Sequence, residues 1–260
     1  MPVAAINNEF YNTKNDIWWE EDSPLLLLKT SLNPCRLSYF QKLLHQYKIE
    51  PKGKAALEIG CGGGILTEEI RKWGFETHGV DPSEESLLHA KKHAAKNNLS
   101  INYTKGSGEL LPYFDNTFDV VFCCDVLEHV SDLKKVISEI SRVLKPGGVF
   151  FYDTINRTFL SNLAVIKLAQ DWKFFALMPK NAHVWNKFIK PKELIAAFKE
   201  NNLIHQQQKG AKPKLNILKG LYLLRKRASG KLTYREFGEN FIFKESSNKS
   251  GLYLGYAFKV

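Results

Sequence analysis

Three side chains that could do acid–base or metal chemistry lie within five consecutive residues. Asp125, Glu128 and His129 follow the largely apolar run from Phe118 to Cys124, which is typical of a buried strand in a parallel sheet. If a helical turn begins at Asp125, spacings of three and four residues place all three side chains on one face. There they could hold a divalent ion, or Glu128 and His129 could act as a general base. The alternative is that His129 caps or packs a helix.

A second stretch with chemical potential is the glycine-rich turn from Gly60 to Gly64. It joins an apolar run at 55–59 to a helix-like segment from Ile65 to Trp73. Glycines are needed where a backbone turns sharply or approaches a ligand without a Cβ in the way. A strand, a glycine turn and a helix in this order place a ligand at the carboxyl end of the strand. The dinucleotide fingerprint would need another glycine at position 65, so Ile65 disfavours a NAD(P) oxidoreductase.

An acid at the end of the next strand extends this predicted ligand site. The strand from Thr77 to Asp81 ends 17 residues beyond Gly64. A carboxylate offers acceptor sites only, so Asp81 can accept hydrogen bonds from both hydroxyls of a ribose. Ser83 then follows Pro82 as a predicted helix N-cap.

The elements that carry these residues alternate between strand and helix. Further strands are predicted at Asn102 to Gly106 and Val149 to Asp153, with a helix from Lys134 to Leu144 between them. This alternation predicts an α/β fold with a doubly wound parallel sheet. The 260 residues fit one domain, and 44% hydrophobic and 25% charged residues are typical of a soluble globular protein. No apolar run reaches the length of a membrane span, and no signal pattern begins the chain.

The cysteines and the net charge indicate the cellular compartment and the kinds of partner to expect. The four cysteines have no metal-site spacing, which favours reduced thiols in a cytosolic protein. The net charge is +10, and from His205 onward twelve Lys/Arg face three Glu. Between Lys209 and Arg235 there are nine basic residues and no acid. This segment is either a solvated basic face or a surface that attracts an anionic membrane, an acidic substrate or nucleic acid.

Two further segments flank the predicted core. Residues 1–48 contain a predicted amphipathic helix from Cys35 to Tyr47, which either covers the ligand mouth as a lid or packs on the sheet. The region from Asn156 to Trp185 is rich in aromatic and aliphatic residues with interspersed lysines. Such a segment suits either a pocket roof packed on the core or contact with a membrane interface.

Several motifs together resemble a known enzyme family. The stretches E-I-G-C-G-G-G (58–64), D-V-L-E-H-V (125–130) and L-K-P-G-G (144–148) resemble the class I S-adenosylmethionine (SAM)-dependent methyltransferases, which have a seven-strand Rossmann-like sheet. Four further stretches, taken in order, resemble the ubiquinone-biosynthesis O-methyltransferase family, which methylates a catechol hydroxyl of a polyprenylated ring. They are Trp18–Glu20, Asn33–Leu37, Thr154–Arg157 and Phe188–Leu194. The resemblance covers roughly residues 8 to 204.

The resemblance implies roles for individual residues. It implies Arg36 for the methionine carboxylate, Gly60 in the glycine turn, Asp81 at the ribose and Cys124 near the adenosine. The other expected cofactor contacts are Glu58, Cys61, Gly62, Pro82, Ser107, Gly108, Glu109 and Asp125. The family carries acids at the first two positions of the 125–129 group, which implies magnesium bound by Asp125, Glu128 and His129. Asp125 is shorter than the more usual Glu, and Ser107 replaces the usual acid or Asn near the adenine.

We therefore expect a SAM-dependent methyltransferase that methylates a phenolic or catechol hydroxyl of a small or prenylated acceptor. The expected single domain has a lid at 1–48, a SAM-binding core at 49–155, a pocket insert at 156–190 and a C-terminal part at 191–260. After Leu203 the family closes with two antiparallel strands and a short loop, whereas this chain carries a basic insertion. That departure leaves open a secondary metabolite methylated at nitrogen, oxygen or carbon. RNA binding is disfavoured because the basic tail has few interleaved aromatic residues. We expect a cytoplasmic protein with peripheral membrane contact through 156–185 and the basic segment 209–235.

Overall fold

The computed structural model describes residues 6–14 and 16–260. These residues form a mixed sheet of eight strands in the order β3–β2–β1–β4–β5–β8–β6–β7. The strands are β1 Ala55–Ile59, β2 Glu76–Asp81, β3 Asn102–Lys105, β4 Phe118–Cys123, β5 Leu144–Ile155, β6 Leu203–Pro213, β7 Phe243–Ser246 and β8 Leu252–Lys259. The first five strands are parallel, and β8 pairs antiparallel with both β5 and β6.

Helices cover both faces of this sheet. The α-helices are α1 Asn33–Gln46, α2 Ile65–Lys72, α3 Glu84–Lys96, α4 Leu133–Val143, α5 Phe159–Ser161, α6 Pro191–Glu200, α7 Ile217–Ala228 and α8 Tyr234–Asn240. Two π-helical stretches adjoin them, Leu28–Leu32 before α1 and Asn162–Asp171 after α5, and short 3₁₀ turns span Asn8–Tyr11 and Trp185–Lys187. In the described part of the chain, no helix combines the length and apolar character that crossing a membrane requires.

The doubly wound α/β prediction is confirmed, with two differences in detail. β5 begins at Leu144 rather than Val149, so the L-K-P-G-G motif at 144–148 lies within the strand. The sheet has eight strands rather than seven, because β7 pairs with β6 at the edge. The sequence of β7, F-K-E-S, has only one apolar residue, so its strand conformation depends on the neighbouring β6 backbone.

The core has two layers because successive residues of a strand face opposite sides of the sheet. On β4, Val121 joins the cluster under α4 and α6, whereas Phe122 joins the cluster under α1. The Phe40 ring of α1 lies 5.6 Å from Phe122 and 4.9 Å from Phe151, measured between ring centroids. Helix α1 therefore packs on the sheet, and it is the preceding segment that reaches the glycine turn.

The basic insertion forms a small subdomain of its own between β6 and β7. Helices α7 and α8 bury Leu223 and Phe237 against Leu27 of the N-terminal segment and Leu177 of the insert. Gly238 of α8 packs so closely that a Cβ there would lie 1.9 Å from the Thr30 hydroxyl. The insertion is therefore attached to both segments that flank the predicted ligand site.

Candidate active site

The glycine turn connects β1 to α2 with the backbone in the left-handed region. Gly60, Gly62 and Gly64 have φ values of +69°, +49° and +83°, which side chains rarely adopt. The Trp18 ring lies against the turn, so a Cβ on Gly62 would be 2.2 Å from it. Trp19 adds a hydrogen bond from its indole Nε1 to the Gly63 carbonyl, at 2.9 Å. The N-terminal segment thus covers the turn.

Asp81 ties this turn to the next βα unit. Its carboxylate accepts hydrogen bonds from the Gly62 amide at 2.9 Å and the Ser83 amide at 2.8 Å. Burial raises its pKa, although these two amides oppose the shift. Each carboxylate oxygen has two acceptor positions, so Asp81 keeps capacity for a ribose hydroxyl. Pro82 follows directly and Ser83 caps α3 through the Ser86 amide, as predicted.

Glu58 and Cys61 lie beneath the turn rather than in an open cleft. The Glu58 side chain is buried and accepts a hydrogen bond from the Thr67 hydroxyl. Burial raises the pKa of Glu58 to about 8 and also raises that of the Cys61 thiol. These side chains therefore support the turn from below.

The loop after β3 lies beside the end of β1. Gly108 approaches Ile59, where a Cβ would be 3.3 Å from the isoleucine side chain. The Glu109 carboxylate accepts the Ser131 amide at 2.9 Å, which ties this loop to the segment after β4. Ser107 forms an isolated bridge with Leu110.

Arg36 is buried at the carboxyl ends of the central strands. Its guanidinium donates to both oxygens of Asp153, at the end of β5, and to the Asp125 carboxylate. Burial lowers its pKa, but these two carboxylates outweigh that effect and raise it above the ordinary value. One nitrogen, Nη1, makes only a 3.4 Å contact with Asn33. That nitrogen is the part of Arg36 that can still receive a further carboxylate.

Asp125 corrects the prediction of a single helical face. Its φ of +54° turns the chain, and its amide donates to Asp153 at 3.1 Å. The following residues form a tight turn in which the His129 amide donates to the Val126 carbonyl at 2.8 Å. The Asp125 carboxylate consequently pairs with Arg36, while it stays close enough to Glu128 for its charge to raise the pKa of that carboxyl. The Cys124 side chain packs under α1.

Glu128 and His129 meet a residue that the sequence analysis did not identify, His183. One ligand atom from each of the three lies within 4.8 Å of the others. Glu128 Oε1, His129 Nδ1 and His183 Nδ1 are buried and have no hydrogen-bond partner among the described residues. These three atoms are therefore available to a ligand. We name Glu128, His129 and His183 the Glu–His–His group.

Neighbouring contacts fix the geometry of the Glu–His–His group. The Thr154 hydroxyl donates to the other Glu128 oxygen at 2.8 Å. The Gln170 side chain accepts the His183 amide at 2.8 Å and so holds it over the strand ends. Burial lowers the pKa of His129 to about 3 and lowers that of His183, while burial and Asp125 raise that of Glu128. Both imidazoles are therefore neutral, which is the form that binds metals and accepts protons.

Comparison with known proteins identifies the family to which this chain belongs. Residues 57–152 match a family model described as a methyltransferase domain. A ubiquinone biosynthesis O-methyltransferase from Coxiella burnetii is 39% identical over 177 residues, which is 68% of this chain and 72% of that protein. The Actinobacillus pleuropneumoniae protein of the same name is 37% identical over 200 residues, 74% of this chain and 82% of that protein.

Solved structures agree at the level of the fold. The YcgJ protein of Bacillus subtilis has a TM-score of 0.60 at 19% identity, covering 86% of this chain and 98% of that chain. A SAM-dependent methyltransferase from Thermotoga maritima has a TM-score of 0.56 at 20% identity, covering 90% and 92% respectively. The sequence relatives establish that this chain belongs to the ubiquinone biosynthesis O-methyltransferase family and is a SAM-dependent methyltransferase.

Proposed function

We propose that this enzyme methylates a hydroxyl of a phenolic or catechol ring carried by a small or prenylated acceptor. The names of its relatives support the O-methyl assignment. The observation that carries it is the Glu–His–His group, which has three unpartnered buried atoms and lies close enough to Asp125 for its charge to act on Glu128 and His129. The His129 imidazole is neutral and has an unpartnered nitrogen that can accept a proton, while the burial that lowers its pKa also makes it a weak base.

The chemical step is an in-line displacement. The acceptor oxygen forms a bond to the methyl carbon as the carbon–sulfur bond of SAM breaks, and the hydroxyl proton passes to the enzyme. His129 is the proposed proton acceptor, with Glu128 beside it. Most of the rate enhancement then comes from aligning oxygen, methyl carbon and sulfur, since held reactants avoid much of the entropic cost.

A divalent ion fits the Glu–His–His group by its donors. When bound, such an ion would lower the pKa of a phenolic hydroxyl that contacts it. Magnesium prefers oxygen ligands, whereas two imidazoles and one carboxylate suit zinc, manganese or iron. The proposed ligands are therefore Glu128, His129 and His183, with Asp125 paired to Arg36 instead, and magnesium is the weaker fit. With an ion bound, His129 would be a ligand instead of the proton acceptor.

The proposed cofactor site uses the glycine turn and the strand ends around it. In this proposal residues 1–48 cover SAM, 49–155 bind it and 156–190 roof the acceptor, within one domain over 1–260. Asp81 would accept the ribose hydroxyls, and Arg36 Nη1 would donate to the methionine carboxylate. The backbone of the glycine turn and of the loop after β3 would contact the rest of the cofactor. The proposed contact residues are Gly60, Cys61 through its backbone, Gly62, Pro82, Ser107, Gly108, Glu109 and Asp125, and the buried Glu58 and Cys124 side chains would support this site from beneath it.

Peripheral contact with an anionic membrane surface is also part of this proposal. In the 156–185 region, Phe159 and Phe174 are 83% and 76% exposed. On α7, Ile217 and Leu218 are 81% and 80% exposed beside the basic residues of the 209–235 segment. Exposed apolar side chains next to lysines and arginines suit an interface with anionic lipid. Such contact would bring the enzyme to a prenylated acceptor.

The test combines cofactor binding with turnover. Calorimetric titration with S-adenosylhomocysteine should give micromolar affinity, and a simple catechol with SAM should give a monomethyl ether detectable by mass spectrometry. Zinc, manganese and magnesium are compared after chelation. Binding of the cofactor product without any methylation of catechols would contradict the acceptor class. It would favour a secondary metabolite acceptor, whose pocket the basic insertion could reshape through its contacts with Leu177.

A further inference from the structure

Tyr11 lies in the active site but has no role in the chemistry proposed above. Its ring packs edge-on against His129, with 6.1 Å between the ring centroids. It belongs to the 3₁₀ turn Asn8–Tyr11, so it reaches the site from a part of the chain distant in sequence. The printed sequence gives little sign of this, because one tyrosine in a polar stretch resembles an ordinary surface anchor.

The start of α3 fixes the position of Tyr11. The Ser86 hydroxyl donates to the Tyr11 carbonyl at 2.8 Å and accepts the Trp18 indole N–H at 3.1 Å. Ser83 adds a second donor to the same carbonyl at 3.2 Å. The Tyr11 and Trp18 rings stack at 5.8 Å between centroids. Trp18 also covers the glycine turn. The contacts with Ser86 therefore position both Trp18 and Tyr11.

The same segment is joined to the roof of the site. The Asn7 amide donates to the Asn181 carbonyl at 2.9 Å, two residues before His183. Tyr11 and His183 therefore approach His129 from two segments that bond to each other.

The charges around Tyr11 decide what its hydroxyl can do. Burial raises the pKa of Tyr11, and the carboxylates of Asp125, Glu128 and Asp81 raise it further. The phenol therefore stays protonated and acts as a hydrogen-bond donor rather than a base. None of the hydrogen bonds identified among the described residues uses this hydroxyl. Tyr11 is close enough to both Asp81, the acid proposed for the ribose, and Glu128 for their charges to act on it.

We propose that Tyr11 is a positioning residue, which donates a hydrogen bond to the acceptor and selects the oxygen that is methylated. It holds the neighbouring oxygen of a catechol, so that the other oxygen aligns with the methyl carbon. Tyr11 neither gains nor loses a proton, and the methyl transfer is otherwise unchanged. This inference rests on the proposed catechol chemistry.

The first experiment compares Tyr11→Phe with the wild type on 3,4-dihydroxybenzoate, whose two hydroxyls give distinguishable products. A lost hydrogen bond corresponds to about a two- to tenfold change. We expect KM for the catechol to rise by about that factor, the ratio of the two monomethyl products to move toward one, and the affinity for S-adenosylhomocysteine to change less than twofold. Tyr222→Phe, on the exposed face of α7, is the matched control. An unchanged KM and product ratio in Tyr11→Phe would overturn the proposal.

A second experiment needs no acceptor and separates this inference from the proposed function. Hydrogen exchange of residues 8–19 is measured with and without S-adenosylhomocysteine. We expect the ligand to protect this segment in the wild type and in Tyr11→Phe, and to protect it much less in Tyr11→Ala, whose thermal unfolding is checked separately. If the wild type methylates no catechol, both the proposed acceptor and the hydrogen bond from Tyr11 to it are wrong. Equal protection in all three proteins would show in addition that the Tyr11 ring does not hold this segment over the cofactor.

Discussion

The guanidinium of Arg36 on α1 donates to both carboxylate oxygens of Asp153 at the end of β5, and its Nη2 to Oδ1 distance is 2.9 Å. Both side chains are buried, at 3% and 0% exposed. The pair joins the helix on one face of the sheet to the strand ends where the chemistry is proposed. Asp153 also accepts the Asp125 amide, so this ion pair holds the left-handed turn that orients Glu128 and His129.

Removing Arg36 should therefore be severely destabilising. Arg36→Met leaves Asp125 and Asp153 buried without a counter-charge, and breaking a buried pair in this way costs about 3–5 kcal/mol. Thermal denaturation should show a Tm lower by about 10 °C, since 1 kcal/mol shifts a domain of this size by about 2–4 °C. The control is Lys134→Met, whose partner Glu200 is exposed and whose loss should leave Tm nearly unchanged. Equal Tm values for the two variants would refute the importance of the buried pair.

Gly62→Ala should weaken cofactor binding more than it weakens the fold. The added methyl group meets both the Trp18 ring and the space proposed for SAM, on top of the strain of a φ of +49°. Gly147→Ala is the matched control, because its φ is +75° and a Cβ there meets nothing within 4 Å. Titration with S-adenosylhomocysteine should show at least a tenfold loss for Gly62→Ala and no loss for Gly147→Ala. A shared small loss of Tm without any change in affinity would count against the proposed cofactor site.

Glu58 should make the protein less stable as the pH rises. Its carboxyl keeps a proton up to a pKa of about 8 in the folded chain, whereas the unfolded chain releases it near about 4.3. Between these values the folded state binds the extra proton, so the free energy of unfolding falls with rising pH, by at most about 5 kcal/mol. Glu58→Gln should flatten the fall of Tm between pH 5 and pH 8, and Glu50→Gln, at an exposed position, should not. If Tm falls with pH in parallel for the wild type and both variants, Glu58 is ionised throughout the range from pH 5 to pH 8.

His183 should matter for metal affinity. His183→Ala removes one of the three unpartnered ligand atoms, so binding of zinc or cobalt should weaken by at least tenfold. Cobalt absorption spectra report this binding without any turnover. The control is His205→Ala, a partly buried histidine on β6 outside the site. Cobalt spectra that are the same in wild type and His183→Ala would exclude His183 as a ligand.

The exposed face of α7 should contribute to lipid binding. Replacing Ile217 and Leu218 by serine removes exposed apolar surface while keeping the basic charge, so co-sedimentation with phosphatidylglycerol vesicles should fall severalfold. Ile204→Ser on β6, at 54% exposure, is the control away from that face. Binding by the wild type should also decline with added salt. If neither the wild type nor Ile204→Ser binds anionic vesicles, the membrane part of the proposal is wrong.

The sequence alone determined the elements of the parallel part of the sheet and their order, because these follow from local patterns. The apolar run of β4, the glycine turn and the acid at the end of β2 each depend on residues close together in the chain. Period-two burial and helix capping at Ser83 act over the same short range. These features predicted both the doubly wound sheet and the place where a cofactor would bind.

The tertiary structure alone decided which side chains meet at that place. Asp125, Glu128 and His129 are close in sequence, yet Asp125 has left-handed backbone and pairs with Arg36, whereas Glu128 and His129 form the Glu–His–His group. His183 joins Glu128 and His129 although it lies 54 positions beyond His129 in the chain. Likewise, β7 becomes a strand only by pairing with β6. Contacts of this kind depend on how distant elements pack, and neither periodicity nor spacing along the chain encodes them.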